Sequence, residues 1–383
     1  MYKNTDENRA RAMTVDATEY RHLAGNGPIA DLEALLCSLY GAKHALCVDS
    51  ATNGLMYLLL ATGLKRREIL TTPLTFGGTI AGALALDCRM HFADIDDTLN
   101  LCPESAQEVL GRNTGIKAVI AVDFAGNPHR MEALHDICTE LGVWHFVDAA
   151  QSLGADYGRR DVADLNDAMV VSFGSGKTVF AGGEGGAIVT NNTALYGRLL
   201  SVCQHAHRQD RDLGIGLSHE FALNGRMHPI AALIAHRSFG PGLETVQRKR
   251  EIFNSSLGVL SAFESVSSVF DQVGSAFYHC PFLVADERLL EEEFTVSELA
   301  GGFRYEKAPF VPLPHQLDRV GLRKRVKSCS CPRLEKMIDG LFLLKKDQDA
   351  KRRAPVPWSS RGPKSVKSQS RAVESWEDPI SGE

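Results

Sequence analysis

Two short apolar runs, each ending abruptly in polar residues, constrain this chain more than any other feature. The first is Val143-Trp144-His145-Phe146-Val147, and it ends in Asp148-Ala149-Ala150-Gln151. The second contains Val170-Val171 and ends in Ser172-Phe173-Gly174-Ser175-Gly176-Lys177, with Gly182, Gly183, Gly185 and Gly186 close behind. Runs this short and this apolar read as buried parallel strands, covered on both faces. Open α/β sheets place their ligands outside the carboxyl ends of such strands. One strand therefore delivers a carboxylate, Asp148. Its neighbour delivers a hydroxyl, Ser172, and then a lysine, Lys177, enclosed by glycines. A carboxylate and a lysine at adjacent strand ends suit pyridoxal phosphate. The lysine forms a Schiff base, and the acid keeps the pyridine nitrogen protonated so that the ring acts as an electron sink.

The string Gly174-Ser175-Gly176-Lys177-Thr178 invites a nucleotide-binding reading, but it fails on spacing. A phosphate-binding loop needs a glycine six positions before the lysine and a helix directly after it. Val171 stands at the glycine position, and Val179-Phe180-Ala181-Gly182-Gly183 is a poor helix start.

The rest of the chain supports an α/β sheet. Leu32, Leu35, Leu36 and Leu39 recur at helical spacing after Pro28, and Gly41 is a stop. His44 to Val48 reads as a strand, and Asp49-Ser50-Ala51-Thr52-Asn53-Gly54 opens the apolar helix that follows. Free N–H groups and a positive dipole end at residues 50–54 make a natural phosphate seat; plain N-capping by Ser50 or Thr52 is the competing explanation. Further strands are expected at 68–72, 89–96, 116–122 and 187–190, with helices between them, so the sheet is mostly parallel. Phe76 stands just past a strand end, where an aromatic ring either stacks on a planar ligand or simply joins the core. His205 to Asp212 reads as a solvated loop, its two histidines notwithstanding. Asn224 precedes an apolar helix, as either an N-cap or a site residue. From about residue 240 the pattern weakens into helix and strand fragments.

The expected organisation is an arm over 1–27, a large cofactor domain over 28–240, a small C-terminal α+β lobe over 241–344 and a disordered tail over 345–383. That tail is rich in Lys, Arg, Ser and Pro. The chain has 383 residues, 44% of them hydrophobic, and a formal net charge of -5. This charge gives no electrostatic case for nucleic acid or an anionic membrane as partner. No apolar run is long enough to span a bilayer, and the charged first residues lack the apolar segment of a signal peptide. Nine cysteines, an odd number with several in core-like segments, argue for reduced thiols in a cytoplasmic protein. The closest pair, Cys329-Ser330-Cys331, fits no usual zinc site, and no metal is expected.

These residues resemble the sugar aminotransferases of the DegT/DnrJ/EryC1/StrS family, which have the aspartate aminotransferase-like fold (fold type I of the pyridoxal phosphate enzymes). The resemblance is carried by Tyr40-Gly41-Ala42-Lys43-His44-Ala45, Asp49-Ser50-Ala51-Thr52, Thr75-Phe76 and Phe92-Ala93-Asp94-Ile95-Asp96-Asp97. It continues through Val147 to Ala155, Ser172-Phe173 with Lys177, Gly183-Glu184-Gly185-Gly186-Ala187 and Asn224-Gly225-Arg226-Met227. It implies that Lys177 holds the cofactor covalently and shuttles the proton. Asp148 would pair with the pyridine nitrogen, Gln151 would sit near the ring hydroxyl, and Phe76 would stack on the ring. Ala51, Thr52 and Ser172 would hold the phosphate. Asn224 would reach the cofactor phosphate of a second subunit, since such enzymes are usually homodimers with shared sites.

The implied reaction moves an amino group from glutamate or glutamine to a keto-sugar nucleotide or a cyclitol ketone. The chain departs from the family in having Gly174 where a histidine is common, Thr178 where an asparagine is common, and Ser50-Ala51-Thr52 in place of Ser-Gly-Thr. Two rival readings are a cofactor-dependent dehydratase of a deoxysugar and a non-catalytic regulatory protein that retains the fold. Lys177 argues against the first, because a histidine replaces the lysine in such dehydratases. Lys177 and Asp148 together argue against the second.

Overall fold

In a computed structural model, residues 25–214, 222–270, 272, 274–296 and 302–346 are described. Most of the expected arm, and the expected tail from residue 347 on, lie outside these residues. The strands are β1 (His44–Val48), β2 (Glu68–Thr71), β3 (Arg89–Ala93), β4 (Ile116–Val122), β5 (Trp144–Asp148), β6 (Ala168–Ser172) and β7 (Gly186–Thr190). After them come β8 (Val266–Val269), β9 (Pro281–Val284), β10 (Phe303–Lys307), β11 (Val326–Ser330) and β12 (Leu341–Lys346). Eight strands form one sheet in the order β1-β7-β6-β5-β4-β2-β3-β11, and four form a second in the order β10-β12-β9-β8. In the large sheet β7 runs against both of its neighbours, and the other pairings are parallel. The small sheet is antiparallel. This is the large, mostly parallel sheet with a smaller C-terminal α+β part that the sequence leads one to expect.

The parallel strands are apolar because both faces are covered. β4 reads Ile-Lys-Ala-Val-Ile-Ala-Val, and every residue except Lys117 is buried. Helices from Ala51–Ala61, Gly78–Ala85 and Thr193–Cys203 pack one face, through Leu55, Leu58, Ile80 and Leu199. The helix Pro28–Tyr40 packs the other through Leu32 and Leu36. Because the strands run together, their carboxyl ends fall on one edge. Val48, Thr71, Val122, Asp148 and Ser172 all stand there.

A helix of 32 residues, Pro229–Leu260, carries Pro241 inside it. The helix survives the lost N–H, and Thr245 Oγ1 donates to the Pro241 carbonyl at 2.8 Å. Gly242 explains why the chain tolerates a weak helix former there. A Cβ at that position would lie 2.6 Å from Val179 Cγ2 and 3.1 Å from the Thr178 carbonyl. Glycine therefore lets the helix pack directly on the segment following Lys177. Further along, Arg250 donates to the carbonyls of Gly154, Gly274 and Ser275, tying the turn after β5 to the approach to the small sheet.

The expected loop at 205–212 is instead a helix, Ala206–Leu213. His205 caps it, its Nδ1 accepting from His207 N at 3.1 Å. Arg208 is 1% exposed and reaches both carboxylate oxygens of Glu33, at 3.0 and 2.8 Å, and Asp212 at 3.1 Å. Ion pairs rather than an apolar stripe hold this helix, so its sequence shows no helical hydrophobic pattern.

Candidate active site

Asp148, at the end of β5, is buried at 7% exposure. Its Oδ2 accepts from Thr79 Oγ1 at 2.7 Å, its Oδ1 accepts from Ala150 N at 3.1 Å, and Thr75 Oγ1 lies 2.8 Å from Thr79 Oγ1. Burial pushes its carboxyl above the ordinary range; the Thr79 hydroxyl, the Ala150 N–H and the charge of Lys177 hold it partly down. This carboxylate is desolvated with no ion pair in contact among the described residues, and a cationic ring N–H would relieve that cost.

One strand over, the Ser172 hydroxyl accepts from Gly174 N at 3.3 Å. The loop after it is closed by Phe173 N to Gly185 O and Ala181 N to Phe173 O, both 2.8 Å. Lys177 N donates to Gly174 O at 2.9 Å, which turns the lysine inward. Its Nζ lies 4.4 Å from the centroid of the Tyr278 ring. Burial lowers the Lys177 amine below its ordinary value, while Asp148 and then Glu184 pull it back up. A lysine with a depressed pKa has a larger neutral fraction, which is the nucleophilic form.

The helix Ala51–Ala61 starts at the same edge. Ser50 is its N-cap, with Oγ accepting from Asn53 N at 3.2 Å. That bond makes Ser50 the cap, as the capping explanation has it; it engages the N–H of Asn53 and neither that of Ala51 nor that of Thr52, so the phosphate-seat explanation is compatible with it. Gly186 makes the arrangement possible. It pairs with both Ser172 and Val48, and a Cβ there would lie 2.6 Å from Ala51 N.

Gln151 Oε1 accepts from Ala125 N at 2.8 Å, leaving its amide N–H groups for a ligand. Ala125 has φ 60°, a left-handed conformation that costs a residue bearing a Cβ; the bond from Gln151 stabilises the turn. Phe76 is 76% exposed although it lies over the site. Its ring is not a core aromatic.

One cavity of about 520 Å³ is lined by Ala51, Thr52, Phe76, Asp148, Gln151, Ser172 and Lys177 together. The sequence residues marked for the cofactor thus converge, apart from Asn224. That residue is exposed and does not line the cavity. Nor does it cap the following helix. His228 does so, its Nδ1 accepting from Ile230 N at 3.2 Å. Instead the Asn224 segment is pinned to the open end of β1: Gly225 O accepts from Asp49 N at 3.1 Å, and Arg226 bridges to Val48. Thr79, Glu184, Tyr278, His279 and Phe310 complete the cavity wall, and sequence reasoning did not single them out. Tyr278 and His279 lie just before β9, at its amino end, whereas Asp148 closes the carboxyl end of β5, so no strand-end signal marks them in the sequence.

A sheet of this order, with a lysine and a buried carboxylate at its carboxyl edge, defines the aspartate aminotransferase-like class. Comparison with known proteins agrees. The model of the DegT/DnrJ/EryC1/StrS aminotransferase family matches residues 5–321, and the chain belongs to that family. A curated relative, the UDP-4-amino-4,6-dideoxy-N-acetyl-beta-L-altrosamine transaminase of Campylobacter jejuni, is 32% identical over 205 residues. That match covers 53% of this chain and 54% of the relative, so the chain spans about half the length of this curated relative. Among solved structures, a DegT DnrJ EryC1 StrS aminotransferase from Brucella abortus aligns with TM-score 0.74 at 20% identity, covering 89% of this chain and 90% of the other. DesI, solved in the presence of its TDP-sugar product, aligns with TM-score 0.69 at 24% identity, covering 89% and 84%.

Within the described residues no helix is long and apolar enough to cross a membrane. All nine cysteines are free thiols.

Proposed function

We propose that this protein is a pyridoxal phosphate-dependent aminotransferase that moves an amino group from glutamate or glutamine to a keto-sugar nucleotide or a cyclitol ketone. The convergence of Lys177, Asp148, Gln151, Ser172 and the Ala51–Thr52 turn in one cavity carries this reading. The residues fit the cofactor: a buried carboxylate with no ion pair in contact among the described residues, an exposed ring at Phe76 and a helix N-terminus facing the same space. When bound, the cofactor supplies a conjugated cationic ring that accepts the electron pair released when a C–H bond at the amine carbon breaks.

The protein's own groups do the remainder. Asp148 would keep a proton on the ring nitrogen, because its charge is worth most in a dry site. Lys177 Nζ would hold the cofactor covalently, and its amine would serve as the group that carries the proton. Ala51 N, Thr52 and Ser172 would hold the phosphate, Gln151 would sit near the ring hydroxyl, and Phe76 would stack on the ring. The named activity of the Campylobacter relative and the sugar product in the DesI structure support a nucleotide sugar as acceptor over a cyclitol. Lysine at residue 177 favours amino transfer over dehydration.

Assembly is part of the proposal. Asn224 is exposed, makes no cap and lies outside its own cavity, which is what a residue serving a second subunit's cofactor phosphate requires. In this proposal the protein is a homodimer with shared sites. The test of function is formation of 2-oxoglutarate from glutamate with UDP-4-keto-sugars, and separately with keto-cyclitols. No turnover with either acceptor class, using glutamate or glutamine, would refute the proposal.

A further inference from the structure

A second cavity, of about 540 Å³, adjoins the first. Gly176, Lys177, Tyr278 and His279 line both, so these residues form a partition between them. Three lysines line the second cavity: Lys177, Lys249 from the helix Pro229–Leu260 and Lys345 from β12. None of its lining side chains among the described residues is acidic. Lys345 pairs with Glu306. Lys249 does not have such a partner. Among the described residues its one hydrogen bond is a long one to the Phe277 carbonyl, at 3.4 Å, and no carboxylate pairs with it. The side chain is half-buried against Phe253 and Phe277, and this burial alone lowers its amine below the ordinary lysine value. His279, in the partition, is held down by burial and then by the charges of Lys345, Lys177 and Lys249. A partly desolvated cation with one weak acceptor is costly unless an anion meets it. Another large cavity, beside β8 and β9, is different: Asp96, Asp97 and Glu104 line it beside its arginines, so its charges are already balanced.

We propose that the Lys249 cavity binds the anionic oxygens of a substrate, a carboxylate or a phosphate, and so anchors the molecule whose reacting carbon stands at Lys177 across the partition. This inference rests on the aminotransferase reading. The two sources of such oxygens there are the carboxylate of the amino donor and the diphosphate of a nucleotide sugar.

The test is calorimetry on the cofactor-loaded enzyme with two probes, glutarate for the carboxylate and inorganic pyrophosphate for the phosphate, comparing wild type with Lys249→Met and Lys249→Arg. The expected result is that Lys249→Met weakens one probe by about tenfold or more while Lys249→Arg restores it, since a charge-assisted contact is lost and then replaced. The same variant raises KM for glutamate if glutarate is the affected probe, and KM for the sugar acceptor if pyrophosphate is. A merely structural lysine would shift the melting temperature and leave probe affinity unmoved. Should Lys249→Met fail to fold, Lys249→Gln is measured in its place. The inference is overturned if neither probe binds wild type, or if both bind the neutral variant as tightly as wild type. Absence of aminotransferase turnover with probe binding intact would instead count against the assigned reaction, so the two failures are separable.

Discussion

Replacing Asp148 by asparagine separates what the site does for function from what it costs the fold. The carboxylate is buried, accepts from Thr79 and Ala150, and has its pKa raised by desolvation. The Asp148→Asn side chain would keep the size and one acceptor oxygen but lose the charge. Truncating one partner of a buried, hydrogen-bonded charge pair costs about 2–5 kcal/mol. Cofactor affinity should therefore fall by roughly 30- to 5,000-fold. Loss of a preorganised charge at the reacting ring should lower kcat by about 100- to 1,000-fold.

Stability of the cofactor-free protein should move the other way. A carboxyl whose folded pKa lies above its unfolded value takes up protons on folding. Its contribution is fully present below the unfolded pKa and is lost as pH rises through the folded pKa. At neutral pH the cofactor-free D148N variant should thus melt at or above cofactor-free wild type, and its advantage should vanish as pH falls through the carboxylate range. Cofactor titration followed by visible absorbance, with melting curves from about pH 4 to 8 (a range set by ordinary carboxylate behaviour), reads both effects. If D148N binds cofactor within about threefold of wild type, Asp148 does not face the ring nitrogen and the site as drawn is wrong.

Gly186→Ala should both destabilise the protein by about 1–3 kcal/mol and weaken cofactor binding, because the added Cβ would lie 2.6 Å from Ala51 N at the proposed phosphate seat; denaturant titration and cofactor titration check the pair, and a variant as stable as wild type contradicts the close approach. Arg208→Met should cost about 3–5 kcal/mol, since it leaves Glu33 buried and unpaired; urea unfolding measures this, and a loss under about 1 kcal/mol would mean the pair behaves like an exposed one. Asn224→Ala and Lys177→Ala should each be inactive, yet a verified mixed dimer of the two should recover activity, because one of its sites keeps both residues; no recovery would remove the shared-site claim.

The parts of this molecule that were legible in the sequence are those where local pattern and final burial agree. β4, β5 and β6 are short apolar runs because both sheet faces are covered, and their polar ends fall at the ligand edge by topology alone. That is why Asp148, Ser172 and Lys177 could be found without coordinates. The turn at Ser50 was legible for a similar reason, since a strand, a small polar cap and a helix leave only one place for the free N–H groups. Other parts were hidden by specific physics. The helix Ala206–Leu213 is held by Arg208, Glu33 and Asp212 rather than by an apolar face, so it imitates a solvated loop. Pro241 lies inside the helix Pro229–Leu260, where the sequence pattern weakens, and Gly242 beside it admits the backbone at Thr178. β11, Val-Lys-Ser-Cys-Ser, is an edge strand with partly exposed residues, so nothing in its sequence shows that the chain returns to the large sheet beside β3. β12 runs through Lys346, past the start of the expected tail, because Lys345 and Lys346 pair with Arg304 and Phe303 of β10. The cavity walls built by Thr79, Tyr278 and Phe310 depend on contacts between distant segments, which no local pattern records.

The central claim is that Lys177 carries the cofactor. Purified protein incubated with pyridoxal phosphate should show a visible absorbance band that borohydride abolishes, and digestion should then place the reduced, cofactor-modified residue at Lys177. Lys177→Ala should show neither the band nor the modified peptide. Covalent modification at another lysine, or a borohydride-sensitive band that persists in Lys177→Ala, would contradict the account.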